Sequence, residues 1–293
     1  MVLESIIRPS KMEKTPTEMF LVGFFYSTVG LFLALLIFGG YAGLAASLAG
    51  IFFTTMPLVV IMTKTIRLEE EKDLMVHKET FLIKEHGKAL SMFLFLFIGM
   101  LISYSFWFTI LPTILPEDSV KNLFGFQIDI IESIQKSSTA VGKATQEINE
   151  LEKILSNNFM VLIFCILFSF LYGAGAIFIL TLNASVIGVA VGSTLRRYIA
   201  MYAFQNHLEF IYNYFNWSVS ITLCYMLHGV FEISAYFVGA LAGGIISVAV
   251  VNHDFRTKKF WRIVIDSLDL IILSILLLFL AGIIEVFITP LLC

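Results

Sequence analysis

Charge is scarce in this sequence. Of 293 residues, 14% are Asp, Glu, Lys or Arg, where soluble domains carry about a quarter. The formal net charge is −3, so there is no basic footprint with which to displace counterions from phosphates, and nucleic acid is excluded as a partner. Cysteine is also sparse. Cys165, Cys224 and Cys293 are odd in number, widely spaced and embedded in apolar segments, which fits neither a disulfide framework nor a metal pair. They read as small buried hydrophobes. No G-x-S-x-G, Walker or C-x-x-C pattern occurs, leaving nucleophilic catalysis and nucleotide binding without motif support. The first apolar run is too long for a signal-peptide core and lacks a clear cleavage site. It is expected to be a retained first span.

Apolar sequence fills the space that charge leaves. Hydrophobic residues make up 58% of the chain and the mean hydropathy is +0.90. The expected fold is all-α: a polytopic transmembrane helical bundle with about six spans plus a re-entrant or partial helix. Four regions follow. Residues 1–18 form a cytoplasmic N-terminus. Residues 19–116 form membrane helices around a charged loop, 64–90. Residues 117–157 form an extracytoplasmic amphipathic helical insert, and 158–293 form a membrane core.

The boundaries come from charge and backbone chemistry. No charged side chain occurs between Glu18 and Lys64, a stretch about twice as long as one crossing requires. The glycines of Gly39-Gly40-Tyr41-Ala42-Gly43 supply the turn, giving spans over 19–39 and 43–63, with Pro57 kinking the second. The loop containing Lys64, Arg67, Lys72, Lys78, Lys84 and Lys88 is the most basic short loop, so it and the N-terminus are placed in the cytoplasm. His77 and His86 in that loop read as solvated. A third span, 90–112, ends at Pro112 and Pro116.

In 117–157, seven acidic residues outnumber four lysines. Ile130, Ile134, Val141, Ala144, Ile148, Leu151 and Leu155 recur at heptad spacing. This face either pairs with a copy of itself or a partner, or packs on the protein's own surface; Ser137 and Ser138 weaken the seam. A span over 158–181 follows, capped by Asn157 or Asn158. Asn183 then caps a short helix whose Ala184, Gly188 and Gly192 lie on one face and admit a close neighbour. Arg196 and Arg197 close that segment, and aromatic residues 198–214 have an interfacial composition. Residues 215–251 are apolar apart from His228-Gly229 and Glu232, with Ala235, Gly239 and Gly243 forming a second small-residue face. The basic loop of Arg256, Lys258, Lys259 and Arg262 is assigned to the cytoplasm, and a last span runs over 266–289.

His228 and Glu232 are four apart, on one helical face. Ionisable groups in a membrane are costly and by default mark a functional site facing protein or water. The bland alternative is a structural pair in which His228 donates to Glu232. Glu285 and Asn183 complete the candidate intramembrane polar cluster, their bland readings being an interfacial carboxylate and a helix cap. Zinc is compatible with His228 and Glu232, yet the pattern is not H-E-x-x-H, so no metal ligand set is assigned and no cofactor is expected.

Several of these segments together resemble one family. Asn157-Asn158 before a span, Tyr172-Gly173-Ala174-Gly175 leading to Leu182-Asn183, Leu227-His228-Gly229-Val230-Phe231-Glu232, and the stretch from Ala281 to Pro290 are similar to the stage II sporulation protein M family over roughly residues 150–293. The third segment matches that family's His-Gly-x-x-Glu motif. Ala184 departs from the pattern, because many members have glycine there. The resemblance implies a membrane protein of the plasma membrane. In endospore formers the namesake works as an anchor or scaffold beside peptidoglycan-degrading partners, and members also occur in organisms that do not sporulate. As family-motif positions it carries over Asn183, His228, Glu232 and Glu285.

Three functions remain open on the sequence. One is a non-enzymatic scaffold or complex component, with protein partners or a homodimer formed through membrane helices or the 117–157 helix. The second is a permease or lipid-handling protein using a site at His228 and Glu232. The third is an intramembrane hydrolase, with or without zinc, in which Glu232 is base or ligand.

Overall fold

The computed structural model describes residues 15–38, 43–75, 79–136, 143–169, 174–202, 207–252 and 257–292. Expectations for residues 1–14, the turn residues 39–42, His77, Ser137, Ser138, Val141, Tyr172 and Gly173 lie outside them, as do those for the side chains of His86, Ile134 and Ala144. Regular structure among the described residues is entirely helical. Helices α1 (Glu18–Phe38), α2 (Leu44–Met75), α3 (Glu79–Ile110), α4 (Glu117–Lys136), α5 (Lys143–Ser169), α6 (Ala174–Tyr202), α7 (His207–Asn252) and α8 (Lys258–Ile283) follow in order. A π-helical turn, Ile284–Ile288, and a last short helix, α9 (Thr289–Leu292), complete the chain.

Seven segments are long and apolar enough to cross a membrane: Glu18–Phe38, Leu44–Glu69, Gly87–Thr113, Ile148–Ser169, Gly175–Met201, Phe215–Val251 and Phe260–Leu292. Long runs of Leu, Ile, Phe, Val and Ala satisfy every backbone group inside a helix, the form a chain can take in hydrocarbon without orphaned polar groups. Gly43 adopts φ +50° at the entry to α2, a left-handed conformation that glycine reaches without penalty. Pro57 lies inside α2, which continues through it to Met75. The charged segment 64–90 is therefore largely helical extension of α2 and α3.

Two boundaries differ from the sequence reading. The expected partial helix after Asn183 is instead the second half of α6, a full-length candidate span. Asn183 does not cap it: its side-chain amide donates to Ile179 O at 2.9 Å, a bond back along a continuous helix. Likewise Asn157 and Asn158 are not caps, because α5 runs unbroken from Lys143 to Ser169. A residue that favours a cap ends a helix only where the backbone also turns, and Lys143–Ser169 contains neither glycine nor proline.

The insert thus divides in two. α4 packs on α2 and α6, burying Val120, Leu123 and Phe124 with Leu31, Ala34, Tyr104, Phe108 and Val189. Its Gln127 is fully buried, accepting from the Ser47 hydroxyl at 2.6 Å and donating to Ser185 at 3.2 Å. The rest of the insert is the first half of α5.

Close backbone approaches organise the bundle. A Cβ added at Gly188 would lie 2.7 Å from Leu101 O and one at Gly192 3.0 Å from Ser105 O, so the small face of α6, with Ala184 wholly buried, lies directly against α3. On α7, Gly243 presses on the backbone of Ile166 and Gly239 on Leu162, both of α5, and Ala235 is buried. Gly23 of α1 and Gly99 of α3 are each pressed against the other helix's backbone. In hydrocarbon, where lipid tails are as apolar as leucine, such contacts supply the association energy that water supplies elsewhere.

Candidate functional site: a polar clasp joining α5, α7 and the π turn

α7 runs without interruption through His228 and Glu232, so one helical turn projects both to the same side. The neighbouring elements are α5, which contributes Asn158, and the turn after α8, which contributes Glu285. The π turn has a local cause. Pro290 has no N–H to donate and its ring clashes with the carbonyl four residues back, so the last turn widens. Thr289 closes it, with both its backbone N–H and its hydroxyl directed to Ile284 O, the hydroxyl at 3.1 Å. π turns of this kind recur at functional sites.

The side chains converge on Glu232. Asn158, 6% exposed, donates its amide N–H to Glu232 Oε1. The Glu285 carboxyl neighbours that of Glu232, near enough for the two to share a hydrogen bond. A carboxylate only accepts, so this bond exists when a proton sits between the two carboxyls. His228 reaches the same group of elements by another route: its Nδ1 lies 3.4 Å from the Thr289 hydroxyl, either atom donating according to the imidazole tautomer. Tyr236, one turn beyond Glu232 and buried, lies within electrostatic reach of Glu232, Glu285 and Cys165. Leu151 and Leu155 of α5 close on Gly282, one turn before Glu285, and hold the π turn against α5.

Sequence reasoning named His228, Glu232 and Glu285, and the structure brings these three elements together. Glu232 accepts from Asn158 and neighbours Glu285, while His228 meets Thr289, so the expected donation from His228 to Glu232 is replaced by two adjoining contacts. Asn183 bonds within its own helix. Asn158 and Thr289 were missed as members. Thr289 had a signal in the Thr-Pro pair ending the last span; Asn158 had been read as a cap. Among the described residues no group of three His, Cys, Asp or Glu is arranged to hold a metal ion.

Glu232 lies near the middle of the apolar stretch Phe215–Val251, and Glu285 toward the C-terminal end of Phe260–Leu292. Cys224, earlier on α7, is disulfide-bonded. This corrects the reading of all three cysteines as plain hydrophobes, which holds for the buried free Cys165.

Comparison with known proteins agrees with the membrane architecture. The family model for stage II sporulation protein M matches residues 10–290, extending the resemblance from the C-terminal half to nearly the whole chain. No curated protein and no solved structure matches. The seven apolar helices and this match together show that the chain is a multi-pass membrane protein and belongs to the stage II sporulation protein M family.

Proposed function

We propose that this protein is a non-enzymatic component of a protein complex in the cell membrane, a scaffold whose C-terminal helices are held by the polar clasp. One observation carries the reading: the polar groups of the clasp bond to one another across α5, α7 and the π turn. An arrangement of this kind fixes helix positions and thereby presents a constant surface to a partner. The family match agrees with the reading, since the namesake role is that of an anchor.

The N-terminus is assigned to the cytoplasm. With seven crossings, the basic segments 64–90 and 256–262 fall on one side of the membrane, as the excess of Lys and Arg on cytoplasmic loops requires. The C-terminal end of the last span, which carries Glu285, and the N-terminal half of α7, which carries the disulfide at Cys224, then fall toward the other side, and disulfides persist in oxidising compartments. Labelling of single cysteines introduced at positions 78 and 118 from each side of sealed vesicles tests this; accessibility of both from one side overturns it.

The scaffold reading is tested by extracting the protein in mild detergent, with chemical crosslinking beforehand. Recovery of a defined partner or a homodimer supports it. A strictly monomeric protein that crosslinks to nothing overturns it.

A second reading has an observation of its own. Neighbouring carboxyls able to share a proton beside a π turn are what a proton-coupled permease uses. Proton flux into proteoliposomes that is abolished in Glu232→Gln would replace the scaffold reading with this one.

A further inference from the structure

A narrow cleft, separate from the clasp, opens between α3, α7 and α8. It measures about 190 Å³ and is lined by Gly87, Leu90, Phe93, Phe237, Leu241 and Leu273, among others. Each of these residues belongs to a segment apolar enough to cross a membrane, and Gly87 is the first residue of its segment. The volume is below the roughly 300 Å³ at which compact ligand pockets begin, which suits a slender occupant. Leu273 is 37% exposed at its margin, so the cleft communicates with the lipid-facing surface. At the inner end Phe93 stacks on Phe237, with ring centroids 4.8 Å apart, giving the slot a rigid aromatic floor. A Cβ added at Gly87 would meet nothing within 4 Å: the helix leaves open space there that any larger residue would enter.

The rim beside the cleft is charged. Residues 262, 266, 270 and 273 of α8 recur at intervals of three and four and so share one face. Leu270 and Leu273 line the cleft, and the same face continues to Asp266 and Arg262, whose Nε is 3.9 Å from Asp266 Oδ2 at the half-exposed rim. A guanidinium at the membrane edge suits a phosphate. An apolar slot with an arginine about two helical turns further along its α8 wall matches the two parts of a phospholipid, a hydrocarbon chain and a charged headgroup. A helix of a second copy is too wide for the slot.

We infer that this cleft is a lipid-binding site that takes one acyl chain of an anionic phospholipid, with Arg262 at its mouth meeting the phosphate. The bound chain fills the space beside Gly87 and joins α3 to α8, which otherwise meet through α7.

Native mass spectrometry of the full chain, titrated with phosphatidylglycerol or with phosphatidylcholine of equal chain length, tests the site. Wild type is expected to retain one phosphatidylglycerol per chain. Gly87→Phe fills the open space; it is expected to lose most of that lipid while its melting temperature in lipid-free detergent stays unchanged. Leu273→Trp blocks the slot from its exposed margin and is expected to do the same, which keeps the test valid where one variant folds poorly. Arg262→Gln is expected to keep the chain-dependent binding and lose the preference for phosphatidylglycerol. Lipid retention in Gly87→Phe and Leu273→Trp equal to wild type overturns the site, as does a wild-type protein that retains no lipid. A dimer that Gly87→Phe converts to monomer, with no lipid in either form, assigns the cleft to a second copy and also overturns it. An unchanged headgroup preference in Arg262→Gln overturns the role of that residue.

Discussion

The bundle of α1 to α4 with α6 and the group of α5, α7 and α8 are both joined by buried polar contacts, but the chemistry differs. In the first, hydroxyls, an amide and an indole meet between helices. Trp107 donates to the Thr28 hydroxyl at 3.0 Å, which lies 3.0 Å from Ser103. The Thr54 and Tyr104 hydroxyls are 3.3 Å apart, and Gln127 links Ser47 to Ser185. Backbone approaches at Gly23, Gly99 and Gly188 accompany them. The second group also has close glycines, yet its central polar contact joins two carboxyls. Hydroxyls and amides hold their bonds at any ordinary pH, so these contacts persist once formed. A carboxyl pair holds its bond only with a proton present, which makes the second assembly conditional. In one membrane domain, the neutral contacts suit a frame and the ionisable contact suits an element that changes.

The largest expected effect falls on the conditional side. Glu232→Ala removes the group that Asn158 and Glu285 both meet, leaving a carboxyl and an amide without partners; losing one member of such a buried set costs about 3 kcal/mol or more. Thermal unfolding in detergent should show a clear loss of stability, and a melting temperature equal to wild type would place the clasp in water. Glu232→Gln and Glu285→Gln are the sharper variants. Each keeps a donor and an acceptor without the titrating proton, so the part of the pH dependence of stability contributed by the pair should disappear. A pH profile identical to wild type would break the contrast between the two regions.

On the permanent side, Gly188→Leu forces a side chain into Leu101 O and Tyr104. Overpacking of this kind costs about 1–3 kcal/mol, with no change in pH dependence, as read by the same unfolding assay. Gln127→Leu should cost about 1 kcal/mol, since Ser47 and Ser185 lose Gln127 but keep Phe126 N–H and Leu182 O, and hydroxyl contacts in membranes are individually modest. The smallest effect is expected at the rim: Asp266→Asn weakens a half-exposed contact four residues apart, worth about 0.3 kcal/mol, and should leave the melting temperature within experimental scatter.

How much of this was legible in the sequence follows from the range of each signal. Hydropathy and the scarcity of charge are local, so the helical membrane architecture, the break near Gly43 and the pairing of His228 with Glu232 on one face could be read directly. The error at Asn183 and Asn158 arose because asparagine favours both caps and buried hydrogen bonds, and only the position of the true helix ends separates the two. Those ends depend on packing: α5 continues through Asn158, where one face packs on α7 and α8, with Leu162 against Gly239 and Leu155 against Gly282.

The sequence alone determined that this chain must live in a bilayer as long helices, because twenty-residue apolar runs have no other way to satisfy their backbone, and it supplied the ionisable residues that such a setting makes costly. The tertiary structure decided which of those residues meet. Residues 158, 232 and 285 are joined by the angles at which three helices cross, and those angles are set by glycines and leucines elsewhere along the chain.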